Sequence, residues 1–419
     1  MKFSNFLRMT PRCRRFRCFF FLLSGLALSS CAGQLAPGRL QKSIRLPEGF
    51  RIEVFADGLR GRPRFMTFDT AGNLYVTMAS AGKVVALPDR DKDGRADRVI
   101  PFASGMKLPH GIDFREGWIY VAETGKVLRF RDLDGDLKAD VKEEVIRALP
   151  AGGLHWSRTL RFGPDGKLYV SIGASCDACG AKHPRRAAIL VYEEDGRGER
   201  VFARGLRNSV GITWHPQTGE LWAVDNGSDF LGEDQPPEEI NIVRRGRHYG
   251  WPYCYGSRIP HPELGWRSFC VEKTQPPVFE MQAHSAPLGL TFYTGRMFPP
   301  EYRGDLFIAF HGSIYRTVLT GYKVVRVRVK EGRPVGIEDF ATGWYTGLTI
   351  IGRPTDVIVA RDGSLFVSDD LKGRIYRISF APPKSVSVAT NSLFAGGAFW
   401  KAPPRTPQQN FYFAKDGDP

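Results

Sequence analysis

The chain has 419 residues, 42% of them hydrophobic and 25% charged, with 46 Gly and 29 Pro. It is too apolar for a disordered chain and too long for a disulfide-framed mini-scaffold. The formal net charge of +15 is uneven: Lys2, Arg8, Arg12, Arg14, Arg15 and Arg17 stand in the first 17 residues with no acid among them. Later basic runs such as Arg244-Arg245-Gly246-Arg247 are interspersed with acids. They describe a solvated surface and exclude a nucleic-acid groove.

The basic start is followed by an apolar and small-residue run, Phe19 to Leu28, and then Leu28-Ser29-Ser30-Cys31. A basic stretch, a short apolar stretch and small residues at a cleavage point read as a secretory signal. The run is too short for a permanent bilayer span. Its end resembles a bacterial lipobox, so residues 1–31 are expected to be a lipoprotein-type signal, with Cys31 as a lipidated N-terminus in the periplasm or cell envelope. A plain signal peptide or a short uncleaved anchor are the alternatives. Cys13 and Cys18 leave with the signal, which leaves Cys176, Cys179, Cys254 and Cys270. An even number in an exported chain favours disulfides, most simply Cys176 to Cys179 and Cys254 to Cys270, with a four-cysteine zinc site as the alternative. Gly180 follows Cys176-Asp177-Ala178-Cys179 where haem attachment requires His.

From residue 43 onward one phrase recurs: a short apolar strand, a turn, then a strand with a central aromatic. The copies are 65–68 with 73–76, 111–114 with 118–121, 160–162 with 168–170, 212–214 with 221–224, 288–292 with 306–308, and 357–359 with 365–367. Each is a hairpin by alternation and turn chemistry. The aromatics Tyr75, Tyr120, Tyr169, Trp222, Phe307 and Phe366 are spaced by 45, 49, 53, 85 and 59 residues. These periods suit four-stranded blades, so the fold predicted is an all-β, six-bladed β-propeller over residues 43–379. A two-sheet sandwich explains the sixfold phrase poorly. Residues 380–419 are Pro-rich and aperiodic and read as a disordered tail.

A propeller gathers its ligands in loops at one end of the channel. The residues just before the first strands are Arg62, His110, His155, Arg207-Asn208, His284 and Arg353. So many cationic and imidazole groups around one axis call for something anionic or electron-rich at the centre. Two acidic stretches suggest a hard cation such as Ca²⁺. One is Asp225-Asn226-Gly227-Ser228-Asp229, with Glu233, Asp234, Glu238 and Glu239 behind it. The other, Asp89, Asp91, Asp93, Gly94 and Asp97, matches part of an EF-hand loop, yet Ile100 stands where the last Glu belongs. Asp132-Leu133-Asp134-Gly135-Asp136 repeats it in weaker form. Gly-x-Ser-x-Gly, P-loop, His-Glu-x-x-His and Rossmann signatures are absent, which argues against nicotinamide, ATP and zinc-protease chemistry.

The stretch Leu154 to Tyr169, with Gly205-Leu206-Arg207-Asn208, Asp225-Asn226-Gly227, Glu239-Ile240-Asn241 and Tyr249-Gly250-Trp251-Pro252, resembles the soluble pyrroloquinoline-quinone-dependent glucose/sorbosone dehydrogenase family, most of all its sorbosone branch. The resemblance implies that His155 is the general base, that Arg207 and Asn208 bind the quinone, and that the carbonyls of Gly227 and Ser228 hold its Ca²⁺. It places Arg353 on the cofactor, but Thr355 where a second Arg is expected. Leu154 replaces the Asp that orients the family's His. His110 replaces a Gln near the substrate, and Arg316 is the nearest stand-in for a cofactor Lys; both count among the candidate cofactor-binding residues. The expected function is an exported quinoprotein that oxidises an aldose or sugar aldehyde and passes electrons to an unidentified acceptor. A Ca²⁺-dependent lactonase, which needs carboxylates at the channel mouth, and a non-catalytic ligand-binding propeller are the rivals.

Overall fold

Each predicted hairpin becomes the inner pair of a four-stranded antiparallel sheet in the computed structural model, which describes residues 43–180 and 183–382. After β1 (Phe50–Ala56) come β2 (Pro63–Phe68), β3 (Leu74–Met78), β4 (Lys83–Leu87) and β5 (Ile100–Ala103) as the first blade. The second holds β6 (Gly111–Arg115), β7 (Trp118–Glu123), β8 (Lys126–Arg131) and β9 (Val141–Ile146). The third holds β10 (Arg158–Phe162), β11 (Leu168–Ile172), β12 (Ala188–Tyr192) and β13 (Arg200–Arg204). In the fourth, β14 (Gly211–Trp214), β15 (Leu221–Asp225) and β16 (Glu238–Val243) precede an insertion made of β17 (Cys254–Tyr255), β18 (Ile259–Pro260) and helix α1 (Arg267–Lys273). The outer strand β19 (Phe279–Met281) then completes that blade, and the insertion accounts for the longest repeat interval. The fifth holds β20 (Pro287–Phe292), β21 (Leu306–Phe310), β22 (Lys323–Lys330) and β23 (Arg333–Ala341). The last holds β24 (Pro354–Val359), β25 (Leu365–Asp369) and β26 (Arg374–Phe380), and takes β1 as its fourth strand. The protein is a six-bladed β-propeller.

The pairing of β1 with β26 closes the ring, with Phe50 opposite Phe380 and Val54 opposite Tyr376. Hairpin counting could not show this, because β1 has no partner nearby in sequence. The Phe50 ring packs edge-on at 4.7 Å from Phe298 and 4.9 Å from Phe380. Burying such rings contributes roughly 1.5–3 kcal/mol each. Phe380 lies one residue past the expected domain boundary, inside β26. The six repeat aromatics all sit buried on the second strands, as packing between blades requires. Residues 1–31 with Cys31, and the tail from residue 383, lie outside the described residues. Among the described residues, no helix is long and apolar enough to cross a membrane.

First strands of successive blades lie against one another around the axis. β2, β20 and β24 each begin with proline and break register immediately afterwards. Proline has no N–H for the ladder, and a bulge re-aims the chain before it. Arg62 and His284 sit just upstream with φ of 58° and 61°, a left-handed conformation that turns the chain at the channel mouth.

Candidate active site

A carboxylate at the end of a second strand pins the loop that enters the first strand in three blades. Glu123 accepts the Lys107 N–H at 2.7 Å, and Asp369 accepts the Arg353 N–H at 2.9 Å. Asp225 accepts the N–H groups of Arg207 and Asn208 and the Ser209 hydroxyl, at 2.8 to 2.9 Å. Buried Asp225 is pushed up to about 6 by desolvation. The device fixes the backbone of residues that face the channel.

Two adjoining cavities of about 440 and 330 Å³ open there and share His155, Asn208, His311 and Arg353. The larger adds Arg62, Arg64, Trp156 and Asp370; the smaller adds Arg207, Gly227, Asp229, Glu238 and His284. Of the residues expected to converge, all but His110 reach a cavity wall. His110 is wholly buried instead, under the Phe65 ring at 4.4 Å. Its Nε2 takes the Arg64 guanidinium at 3.3 Å, so it serves as packing beneath the site. Arg316 also misses both cavities; it bonds Asp234 at 2.9 Å and the Glu233 carbonyl.

His155 Nδ1 lies 2.8 Å from the Ala174 carbonyl oxygen. A carbonyl only accepts, so Nδ1 carries the proton and Nε2 keeps its lone pair. The orientation expected from the residue at 154 thus comes from the loop after β11. Burial, reinforced by the Arg207 charge, lowers His155 to about 4, so the imidazole is neutral near pH 7.

Protein partners take four of the five guanidinium N–H groups of Arg207 and leave one on Nη1. Its Nη2 meets Asp177 and, at 3.2 Å, Asp229; Nε donates to the Asp177 carbonyl at 3.0 Å and Nη1 to the Asn226 carbonyl at 3.1 Å. Asp370 is the other hub, taking Arg64 at 2.9 Å, His311 at 3.0 Å and Arg353 at 3.0 Å. Burial alone would raise this carboxyl, but His311 and the two guanidinium groups hold it well below the usual range. Arg64, His311 and Asp370 were missed in the sequence. Arg64 follows the bulge-forming Pro63, and His311 stands next to the second-strand end, in the same short stretch as Arg316. Arg64 supplies the second guanidinium absent at Thr355, which is buried and bonds the Arg353 carbonyl.

The larger cavity therefore carries three guanidinium groups against one carboxylate, with His155 and His311 both lowered to about 4. That excess fits a polycarboxylate cofactor of this size class. At the smaller cavity, the Gly227 N–H is held at 2.8 Å by Glu238, whose buried carboxyl is pushed up to about 7. Gly227 faces this cavity beside Asp229 and Glu238, an oxygen-rich surround that suits a hard cation at its carbonyl, whereas Ser228 is buried and lines a separate, smaller pocket with Asp225 and Glu239. Elsewhere, carboxylate oxygens of Asp89, Asp91 and Asp97 lie within 4.8 Å of one another, while Asp93 stays apart. Asp132, Asp134 and Asp136 form an equal group on the next blade. The four described cysteines form the disulfides Cys176–Cys179 and Cys254–Cys270, which removes the zinc alternative.

The profile described as "Glucose / Sorbosone dehydrogenase" matches residues 119–377. An uncharacterized protein of Borreliella burgdorferi is 29% identical over 382 residues, covering 86% of this chain and 97% of that one. A pyrroloquinoline quinone-dependent pyranose dehydrogenase of Coprinopsis cinerea is 24% identical over 83% of this chain, which spans 56% of that longer protein. A calcium structure of a Trichoderma reesei carbohydrate-active enzyme of family AA12 shares the fold, with TM-score 0.71 at 23% identity over 81% of this chain and 97% of that one. With its family match spanning the second blade to the last, the chain belongs to the glucose/sorbosone dehydrogenase family.

Proposed function

We propose that this protein is a sugar dehydrogenase that oxidises an aldose or a sorbosone-like sugar aldehyde with pyrroloquinoline quinone and Ca²⁺. The observation that carries the reading is His155: a neutral imidazole with Nδ1 tied to Ala174 and Nε2 free, on the wall of a cavity rich in guanidinium groups. Pyrroloquinoline quinone, when bound, supplies the hydride acceptor. Arg62, Arg64 and Arg353 would hold its carboxylates, with Asn208 and Arg207 at the side and the carbonyls of Gly227 and Ser228 on the cation.

His155 Nε2 takes the proton of the substrate hydroxyl. The bond to Ala174 fixes the ring plane, so no reorientation is needed when the imidazolium forms. Its low proton affinity in the free protein means that the base is in its working form at neutral pH. Asp370 holds Arg64 and Arg353 in place before any ligand arrives, which lowers the ordering cost of binding. The Coprinopsis relative's quinone dependence supports the cofactor, and the Trichoderma structure's calcium supports the cation.

We place the protein in the cell envelope, exported and lipid-anchored at Cys31. The signal-like start and the two disulfides support an oxidising compartment. The test of function titrates metal-stripped protein with the quinone and Ca²⁺, then follows dye reduction across aldoses and sugar aldehydes. Saturable Ca²⁺-dependent binding with dye reduction is expected, and His155→Ala keeps the binding but loses turnover. No binding, or turnover unchanged in that variant, overturns the reading.

A further inference from the structure

The loop after β11 reaches both principal site residues, which come from two other loops. Its Ala174 carbonyl accepts from His155 Nδ1 at 2.8 Å, and its Ala174 N–H donates to the Arg207 carbonyl at 2.7 Å. Three residues on, the Asp177 carbonyl accepts from Arg207 Nε and from Trp251 Nε1, each at 3.0 Å. The Asp177 carboxylate takes Arg207 Nη2 and the Asp229 N–H, the latter at 2.8 Å. Asp177 thus meets Arg207 through both backbone and side chain. It sits inside the ring closed by Cys176–Cys179, and both cysteines pack against the small cluster of Ala174, Ala187 and Trp251.

An unstapled chain would have to order this segment at each opening of the loop. A cross-link of two nearby cysteines removes alternative backbone states and leaves the Asp177 carbonyl and carboxylate aimed at one guanidinium. We propose that Asp177, held by the Cys176–Cys179 disulfide, is the positioning residue of Arg207, and that reducing this disulfide loosens the site's hold on its quinone. This rests on the cofactor reading of Arg207. The chemistry balances with a dithiol as reductant: the disulfide takes two electrons and two protons to become two thiols, and the dithiol closes to its own disulfide.

Selectivity follows from burial. Cys254 and Cys270 are 5% and 0% exposed, whereas Cys176 and Cys179 are partly exposed. A mild dithiol therefore meets the active-site staple first. In an oxidising compartment the staple forms and the site is ready; in a reducing one the same chain holds its cofactor weakly.

The test treats the purified full chain with a dithiol, alkylates it, and locates the label by mass spectrometry. Quinone affinity is then measured by tryptophan quenching in Ca²⁺, and backbone amide exchange is followed over residues 154–156 and 205–208. Label at Cys176 and Cys179 with none at Cys254 or Cys270 should lower quinone affinity at least tenfold and speed exchange at both segments, with reversal on reoxidation of unalkylated protein. Asp177→Asn, with the disulfide intact, should give a similar loss. A cycle with Arg207→Lys separates positioning from general weakening, because the second substitution adds little when the first has removed the contact. Full affinity and unchanged exchange after labelling, or additive losses in the cycle, would overturn the proposal. If the untreated protein binds no quinone, the functional reading fails on its own, and exchange decides the positioning claim: faster on reduction supports it, unchanged sinks it.

Discussion

Arg64 Nη1 lies 2.9 Å from Asp370 Oδ2, across 306 residues of sequence, so the first and last blades share one ion pair at the channel. The two side chains are 8% and 3% exposed. Removing one partner of such a pair leaves the other charge buried and uncompensated, at a cost of roughly 3–5 kcal/mol. Asp370→Asn should therefore lower the urea midpoint sharply at unchanged m-value. Arg64→Met with Asp370→Leu should be less damaging than Asp370→Asn alone, since the double change leaves only the more exposed Arg353 without its carboxylate and no longer strands the buried Arg64. A midpoint for Asp370→Asn within error of the native protein would show that water reaches Arg64 freely.

The repeat and the ring of His and Arg before each first strand were legible because both are local: alternation, turn residues and position relative to a strand. What could not be read are the partners that cross blades. Asp370 was visible only as one of two acids after a strand, and nothing in sequence connects it with Arg64. His110 occupies the same place in its blade as the other mouth residues, yet packs under Phe65 because Gly111 lies against Thr159 and Leu160 of the next first strand. Arg316 was chosen as the nearest cation to stand in for a Lys, although His311, directly after the strand end at Phe310, is the residue that faces the channel. The orienting group for His155 is a backbone carbonyl, which has no sequence signature.

Gly173 illustrates how closely the site is packed. A Cβ there would lie 2.5 Å from Asn208 Oδ1 and 2.7 Å from the His155 Cβ. Its backbone is outside the left-handed region, so Gly173→Ala meets a steric obstacle rather than a conformational one. Displacements near 1 Å at a reacting group cost about a hundredfold in rate. Gly173→Ala should lose at least tenfold in kcat, with a melting temperature within a few degrees of the native protein. Unchanged kcat would mean that His155 and Asn208 can both move aside without consequence.

The two aspartate groups on neighbouring blades predict a metal effect separate from catalysis. Adding Ca²⁺ to chelated protein should raise the melting temperature, by an amount equivalent to about 2.7 kcal/mol when free Ca²⁺ is a hundredfold above Kd. Asp89→Asn with Asp91→Asn should remove part of that rise. Adding Asp132→Asn and Asp134→Asn should remove more of it, while turnover stays intact in each variant at saturating Ca²⁺. A rise identical in the native and fourfold-substituted proteins would assign the effect to the Gly227–Ser228 turn.

The pH dependence of the free enzyme follows from His155. Burial is the larger cause of its lowered pKa and the Arg207 charge the second, giving about 4 against an ordinary 6.5. A base must be unprotonated to work, so kcat/KM should stay level from neutral pH down to about 5 and fall as pH drops through about 4. His155→Ala should lose roughly 10² to 10⁴ in kcat at neutral pH. Arg207→Gln removes the charge that helps keep His155 neutral, so the acid limb of the remaining activity should move upward, toward 6.5. The sign for folding is the same: the neutral buried ring contributes stability that is complete above 6.5 and is lost as pH falls through the folded value. An acid limb already centred near 6.5 in the native enzyme would mean that His155 is solvated in the working protein. An acid limb that does not move in Arg207→Gln would mean that Asp177 and Asp229 cancel the guanidinium at the imidazole.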